Sequence, residues 1–274
     1  MSGGSGGPAL RVGLRGSRKQ ELDRQEVTQG MPNRVALITG AGSGIGRATA
    51  IALSAAGFSI ALIGRRRDPL EETAALLGDS ARPLLLPCDV ANPEQVSTSV
   101  QQTIVRFGRL DALINNAGSA PLATIHNTTP ALLQECFAVN TLAPAYLIHA
   151  AWGVFMEQAR AAGATGTSPR ATIVNVSSMA TKDPFAGFFA YAAAKAATNL
   201  MAHSCAREGG AIGVRAFAVA PGAVETPMLR ANFSESAIHR SRTLAPEAVA
   251  RVIVECVQGE RDAENGQVIW LPSP

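Results

Sequence analysis

The sequence predicts a single-domain, doubly wound α/β fold of Rossmann type around a mainly parallel, seven-stranded sheet. Three observations carry this. Short apolar runs recur from Arg34 onward, stretches with helical periodicity separate them, and the first run passes through a glycine turn into a helix. Runs apolar on both faces and joined by helices demand a parallel sheet covered on both sides, with right-handed crossovers.

The first run, residues 35–39, leads through the glycine turn into an apolar helical stretch over 45–56. The second, 58–63, precedes Asp68-Pro69-Leu70-Glu71. That reads as an N-cap, a proline at the first helical position and a capping-box Glu, so a helix is expected from Pro69. Residues 83–88 make the third strand. Asn92-Pro93-Glu94-Gln95 repeats the cap grammar ahead of Val96, Val100, Ile104 and Phe107 on one helical face, and Gly108 closes that helix. Residues 110–114, 171–176, 214–219 and 267–271 supply the remaining strands. Residues 161–169 read as a surface loop, and the weakly patterned 230–243 sits where a mobile flap is expected. Residues 1–30, glycine-rich and then mixed in charge, are expected to form a flexible extension outside a domain over 31–274. Met31 is an alternative start. Arg11, Arg15, Arg18 and Lys19 leave a transit peptide as an alternative that Glu21, Asp23 and Glu26 oppose.

Composition narrows the function classes. The chain of 274 residues is 47% apolar and 16% charged, which fits a globular enzyme with one large core. A net charge of only +3, without a basic stripe interleaved with aromatics, argues against nucleic acid as a partner. Cys88, Cys136, Cys205 and Cys256 lie far apart, with neither a Cys-x-x-Cys pair nor His at zinc spacing, so reduced buried thiols and no metal site are expected. No stretch approaches about eighteen consecutive apolar residues, and the N-terminus lacks the apolar run of a secretory signal. No membrane span and a cytoplasmic location follow as expectations.

The glycine turn carries the first functional signal. Thr39-Gly40-Ala41-Gly42-Ser43-Gly44-Ile45-Gly46 joins strand to helix, where free backbone N–H groups and the helix dipole can hold a pyrophosphate. Its spacing departs from the common G-x-G-x-x-G fingerprint, yet a strand-turn-helix context points to nucleotide binding through Gly40, Ser43, Gly44, Ile45 and Gly46. At the end of the second strand, an acid would favour the ribose of NAD, whereas arginine suits the 2′-phosphate of NADP. Here that strand ends Ile63-Gly64-Arg65-Arg66-Arg67. Arg65 and Arg66 therefore favour NADP(H), with NAD(H) as the alternative; a planar guanidinium matches a phosphate, and Asp68 reads first as a helix cap.

Further motifs converge. The glycine turn, Asn115-Asn116-Ala117-Gly118, Val139-Asn140-Thr141, Ser178 thirteen residues before Tyr191, Tyr191-Ala192-Ala193-Ala194-Lys195, and Pro221-Gly222 followed by Thr226 together resemble the short-chain dehydrogenase/reductase family, over about residues 34–271. The resemblance implies an oxidoreductase interconverting a carbonyl and an alcohol, with nicotinamide exchanging a hydride. It implies that Tyr191 protonates the substrate oxygen, Ser178 hydrogen-bonds it, Lys195 also holds the nicotinamide ribose, and Asn140 maintains a water-linked proton path. Asp89 and Val90 resemble the adenine-side pair. Asn116, Ala117 and Gly118 line the cleft, Asn115 is structural, and Pro221, Gly222, Val224 and Thr226 lie on the nicotinamide side. Ser177 is the alternative to Ser178, but adjacent strand side chains face opposite ways.

The chemistry explains the residue types. Tyr191 and Lys195 are four apart and share a helical face. A free phenol, with a pKa of about 10, is too weakly acidic to work near neutrality. A lysine charge at about 4 Å and an effective dielectric of about 20 is worth about 4 kcal/mol, so a depression of roughly three pKa units is expected. Preorganised hydroxyls of Ser178 and Tyr191 suit a developing oxyanion.

Pro184-Phe185-Ala186-Gly187-Phe188-Phe189 favours an apolar ketone or secondary alcohol as substrate. A 3-oxoacyl carrier-protein reductase is one alternative, and a non-catalytic NADP(H)-binding regulator is another. Ala193, Ala194, Ala196 and Ala197 permit close helix packing across a symmetric interface, and the resemblance suggests a homotetramer or homodimer.

Overall fold

All seven expected strands form in the computed structural model, which describes Met1, Gly3 and residues 34–78, 82–165 and 170–274. The chain divides into Met1–Asn33 and Arg34–Pro274. Apart from Met1 and Gly3, the extension expected over 1–30 lies outside the described residues. The strands are β1 (Val35–Thr39), β2 (Ser59–Gly64), β3 (Leu84–Pro87), β4 (Ala112–Asn115), β5 (Ala171–Val176), β6 (Val214–Pro221) and β7 (Val268–Leu271). They pair in the order β3-β2-β1-β4-β5-β6-β7, every pair parallel. The boundaries differ from expectation by at most two residues, and β3 and β6 each end on a proline.

The period-two alternation of a strand sorts the core into two layers. Val35 and Leu37 of β1, Ala61 and Ile63 of β2, and Ile173 of β5 pack on one face, beneath α3 (Pro93–Phe107), α5 (Ala143–Thr165) and α6 (Phe189–Gly209). Ala36, Ile38, Ile60, Leu62, Val174 and Phe217 face the other way. They meet α1 (Gly44–Ala55), α2 (Arg67–Ala75) and α8 (Pro246–Gln258). Two short helices, α4 (Pro130–Phe137) and α7 (Pro227–Asn232), lie near the C-terminal ends of the strands.

Helix grammar held in one place and slipped in another. Asn92 caps α3, accepting from the N–H groups of Glu94 and Gln95 at 3.0 Å each, and Gly108 ends it at φ 77°. α2 instead starts at Arg67 with Arg66 as its N-cap, so Asp68 is an acid in the first turn rather than the cap. The correction is physically small. An acid in the first turn still meets the positive helix end, and a proline in that turn gives up an N–H that has no intrahelical partner.

The loop expected over 161–169 gives way to helix at its start. Residues 161–165 continue α5, with Thr165 Oγ1 bonded to the Ala162 carbonyl at 3.0 Å, and 166–169 lie outside the described residues. Alanine is the strongest helix former, and Ala161 and Ala162 carry the helix on past Arg160. The helical stretch Pro130–Gly163 is long and apolar enough to cross a membrane by length and composition. Its Ala143, Leu147, Ala151 and Phe155 are buried under the sheet. The flap segment is tied down: the Arg230 guanidinium pairs with the Glu225 carboxylate and donates to the Ile238 carbonyl at 2.8 Å, and the Leu244 N–H bonds Ala223.

Strand order reverses around β1 and β4, and the crevice beyond their C-terminal ends is where this class of sheet binds ligands. The glycine turn leaves β1 there, and Asn116 leaves β4 beside it.

Candidate active site

The glycine turn is held by groups that turn its carbonyls away from the crevice. Gly40 has φ +63°, open to glycine, and a side-chain carbon at Gly46 would lie 2.2 Å from the Gly40 carbonyl oxygen. Asn116 Nδ2 donates to the carbonyls of Thr39 at 2.8 Å and Gly40 at 3.3 Å. The Thr39 hydroxyl accepts from the N–H groups of Asn116 and Ala117, both at 2.9 Å. Thr73 Oγ1 donates to the Ala41 carbonyl at 2.9 Å, and Arg47 Nη2 to that of Gly42 at 2.6 Å. At the start of α1, N–H groups that no helical carbonyl can reach remain toward the crevice. The cradle fits a pyrophosphate: glycines where side chains would intrude, and unpaired donors at a helix N-terminus.

The crevice continues into a cavity of about 420 Å³. Gly40, Ser43, Gly44, Ile45, Asn116, Ala117 and Gly118 line one end. Ser178, Tyr191, Lys195, Pro221, Gly222, Val224 and Thr226 are among the residues that line the rest. Thirteen residues of sequence bring Ser178 and Tyr191 together because β5 ends at the cavity and α6 starts beside it. Ser178 caps the short turn Met179–Thr181, accepting from the Ala180 N–H at 3.1 Å, and its side chain favours the ionised form of the Tyr191 phenol. The Ser177 hydroxyl points instead at the Lys195 carbonyl, 3.5 Å away.

Asn140 sits fully buried in a π-helical turn, Ala138–Leu142, between α4 and α5, a distortion frequent at functional sites. Its Oδ1 accepts from the Ser119 N–H at 3.2 Å, and its Nδ2 donates to the carbonyls of Ser119 at 2.8 Å and Cys136 at 2.9 Å. A side-chain carbon at Gly118 would meet Asn140 Oδ1 at 2.9 Å and Lys195 Nζ at 3.3 Å, so only glycine lets these two groups share that wall. Asn115 is buried, giving Nδ2 to Asn175 Oδ1 at 2.8 Å across β4 and β5.

The electrostatics correct one expectation. Burial pushes the Tyr191 phenol up from its ordinary value, against the lowering effect of Ser178, and burial holds the Lys195 ammonium down to about 8. Lys195 Nζ donates to the Val176 carbonyl at 2.7 Å. The ammonium is spent on a backbone acceptor and both groups are stripped of water, so desolvation is the leading influence on each.

Arg65, Arg66, Asp89 and Val90 stand apart from the cavity lining. Arg65 and Arg66 are exposed beyond the end of β2. Asp89 is exposed beyond β3, its Oδ1 accepting from the Ala91 N–H at 3.0 Å as a turn residue does; Val90 is buried. Pairing of Gly64 with Pro87 brings these two strand ends side by side.

Other lining residues had no sequence signal. Phe233 and Ile238 come from the weakly patterned flap segment, and Pro272 and Ser273 from the tail after β7. Phe188 lies 5.1 Å from the Tyr191 ring and 6.2 Å from that of Phe233. Arg47, Thr39 and Thr73, which fix the turn, were equally unmarked. The partners of Arg47 and Thr73 lie within the turn and those of Thr39 at the end of β4, and only the folded chain shows them. All four cysteines are free and buried, and no group of residues able to hold a metal occurs among the described residues.

Comparison with known proteins agrees with this geometry. Residues 34–237 match the short chain dehydrogenase family. A type-2 3-hydroxyacyl-CoA dehydrogenase of Drosophila melanogaster is 34% identical over 257 residues, covering 87% of this chain and 96% of that one. A short chain dehydrogenase/reductase of Aspergillus oryzae is 31% identical over 249 residues, 89% of each chain. The structure of a 3-ketoacyl-(acyl-carrier-protein) reductase from Brucella melitensis, complexed with NADH, superposes with a TM-score of 0.79 at 25% identity, over 87% of this chain and 96% of that one. A glycine cradle at the sheet's reversal point, opening onto a cavity lined by Ser178, Tyr191 and Lys195, thus has a family as well as a shape: the chain belongs to the short-chain dehydrogenases.

Proposed function

We propose that this oxidoreductase is NADP(H)-dependent and interconverts a carbonyl and a secondary alcohol, with Tyr191 as the acid/base. The observation that carries the reading is the single cavity that joins the glycine cradle to Ser178, Tyr191 and Lys195. Bound nicotinamide would supply the hydride for reduction or accept it in oxidation. Gly40, Ser43, Gly44, Ile45 and Gly46 would hold the pyrophosphate, with Asn116, Ala117 and Gly118 along the cleft and Pro221, Gly222, Val224 and Thr226 on the far side.

Tyr191 gives its proton to the substrate oxygen during reduction. A phenol that burial keeps protonated is suited to that direction. Ser178 donates a hydrogen bond to the same oxygen as negative charge develops. Lys195 positions the ribose and, with Asn140 behind Gly118, returns a proton to the phenol from solvent. The apolar neighbours Phe185, Phe188 and Phe233 support an apolar substrate.

Arg65 and Arg66 support NADP(H) because no carboxylate stands between them and the end of β2. NAD(H) is the second reading, favoured by their exposure and their distance from the lining. The outward Ala193 and Leu200 of α6 support a homodimer or homotetramer, and a cytoplasmic enzyme with an extension over residues 1–30 completes the proposal.

The test is a panel of ketones and secondary alcohols with NADPH and NADH, run on the native enzyme and on Tyr191→Phe. Turnover with NADPH that vanishes in the variant supports the whole reading. Turnover only with NADH overturns the cofactor assignment alone. Nucleotide binding without turnover of any carbonyl would point to a regulatory role.

A further inference from the structure

At the opposite end of the sheet from the candidate active site, four arginines converge on one hollow. The parallel register starts β1, β4, β5 and β6 near one another. Arg34 stands just before β1, Arg109 before β4, Arg170 just before β5, and Arg215 pairs with Thr172 near the start of β6. With Phe58, Asp111 and Thr172 they line a cavity of about 190 Å³. That is below the range of about 300–1,000 Å³ usual for drug-sized ligands, and it suits one small ion or head group.

The charges in the hollow do not balance. Arg109 grips Asp111 with both prongs, Nε to Oδ2 at 2.8 Å and Nη2 to Oδ1 at 2.6 Å, and Asp111 Oδ2 also accepts from the Val35 N–H at 2.8 Å. Arg215 pairs with Asp262, and its Nη2 donates to Thr172 Oγ1 at 2.6 Å and to the Val257 carbonyl at 3.0 Å. Its side chain is 12% exposed, and its buried Nε has no partner. Among the described residues, neither Arg34 nor Arg170 has a carboxylate partner. Four guanidinium groups therefore face two carboxylates.

Geometry fixes the excess charge rather than dispersing it. The Arg34 guanidinium lies over the Phe58 ring, 4.3 Å from its centroid, an attraction that orients the head group. A side-chain carbon at Gly259 would meet Arg215 Nη1 at 3.1 Å and Arg170 Nη1 at 3.3 Å, so these two cations approach one point, with Asp262 Oδ1 3.4 Å from it. Arg215 caps the end of α8 through Val257, which accounts for one arginine. That role does not extend to Arg34 and Arg170.

We propose that this hollow is an anion site for a phosphate-type dianion, either inorganic phosphate or the head group of a phosphate monoester. Two uncompensated positive charges match a dianion, and the guanidinium fork matches a phosphate's oxygens better than an ammonium would.

The test is isothermal titration calorimetry on the full chain saturated with its nicotinamide nucleotide, so that the glycine cradle is filled. Sodium phosphate and glycerol 3-phosphate are titrated in separate arms, each against sodium chloride at matched ionic strength. Saturable binding at one site is expected, weakened at least tenfold in Arg34→Ala/Arg170→Ala, with nucleotide affinity and circular dichroism unchanged. Arg170→Glu, a surface change, should weaken it at least as much as the loss of Arg170 alone. Binding of the ion but not the ester assigns the site to free phosphate, and binding of both assigns it to a phosphorylated head group. Heats matching those of chloride, or an affinity unaltered in the variants, overturn the proposal.

Discussion

The two ends of the crevice are built on opposite principles. At one end, Tyr191, Lys195 and Asn140 are buried, and Lys195 and Asn140 are each tied to a backbone carbonyl from another part of the chain. At the other, Arg65, Arg66 and Asp89 project from the ends of β2 and β3 into solvent, outside the cavity lining. Burial fixes a side chain through packing and through hydrogen bonds that are costly to leave unmade. Exposure leaves it to be fixed by whatever binds. The proposed chemistry end is thus preorganised by the fold, and the proposed cofactor-selecting end would be organised by the nucleotide.

The contrast predicts a descending series of effects. Tyr191→Phe should lower turnover by about a thousandfold, within the range for loss of a positioned acid, while nucleotide affinity measured by fluorescence titration stays the same. Unchanged turnover would remove Tyr191 from the chemistry.

The buried lysine gives the next effect. Its ammonium is held down to about 8 in the folded protein against an ordinary value near 10.5. Between those values the unfolded chain binds the extra proton, so the native protein gains stability as pH rises through that window. Lys195→Met lacks this term. Denaturant midpoints should therefore shift against the variant between pH 8 and 10.5 and keep a constant difference below pH 8. A flat difference across the window would mean that Lys195 is hydrated.

Gly46→Ala should follow, because its new carbon would lie 2.2 Å from the Gly40 carbonyl oxygen, a backbone atom with little freedom to move. A loss of about 1–3 kcal/mol in stability is expected, as for overpacking elsewhere, with weaker binding of both nucleotides. Equal affinity for NADPH would show that the turn is not the pyrophosphate cradle.

The smallest change tests the exposed end. Arg65→Ala should weaken NADPH about tenfold, near the worth of one charge-assisted hydrogen bond, and leave NADH almost unaffected. Equal losses would make Arg65 a solvated corner and return the preference to NAD(H).

Much of this was legible beforehand, for a local reason. β1, the glycine turn and α1 are contiguous, so spacing alone announced them. Asn92 and Gly108 bracketed α3 because caps act within a few residues. Tyr191 and Lys195 lie four apart on one helix. Reading failed where local grammar was ambiguous, as at the start of α2, and where residues depend on distant partners. Nothing near Thr73 signals that it holds the Ala41 carbonyl, and nothing near Ser273 signals that it lies against Gly222.

The sequence by itself determined the doubly wound fold, the seven strands, the glycine turn and the residue types proposed for catalysis, since periodicity, capping and short motifs act over a few residues. Only the tertiary structure decided how those residues behave. It buried Tyr191 enough to raise the phenol rather than depress it, aimed Lys195 at the Val176 carbonyl, placed Asn140 behind Gly118, and gathered four arginines from separate strand starts. Desolvation and like-charge convergence depend on what surrounds a group in space, and a linear chain does not carry that until parallel strands and packed helices bring remote residues together.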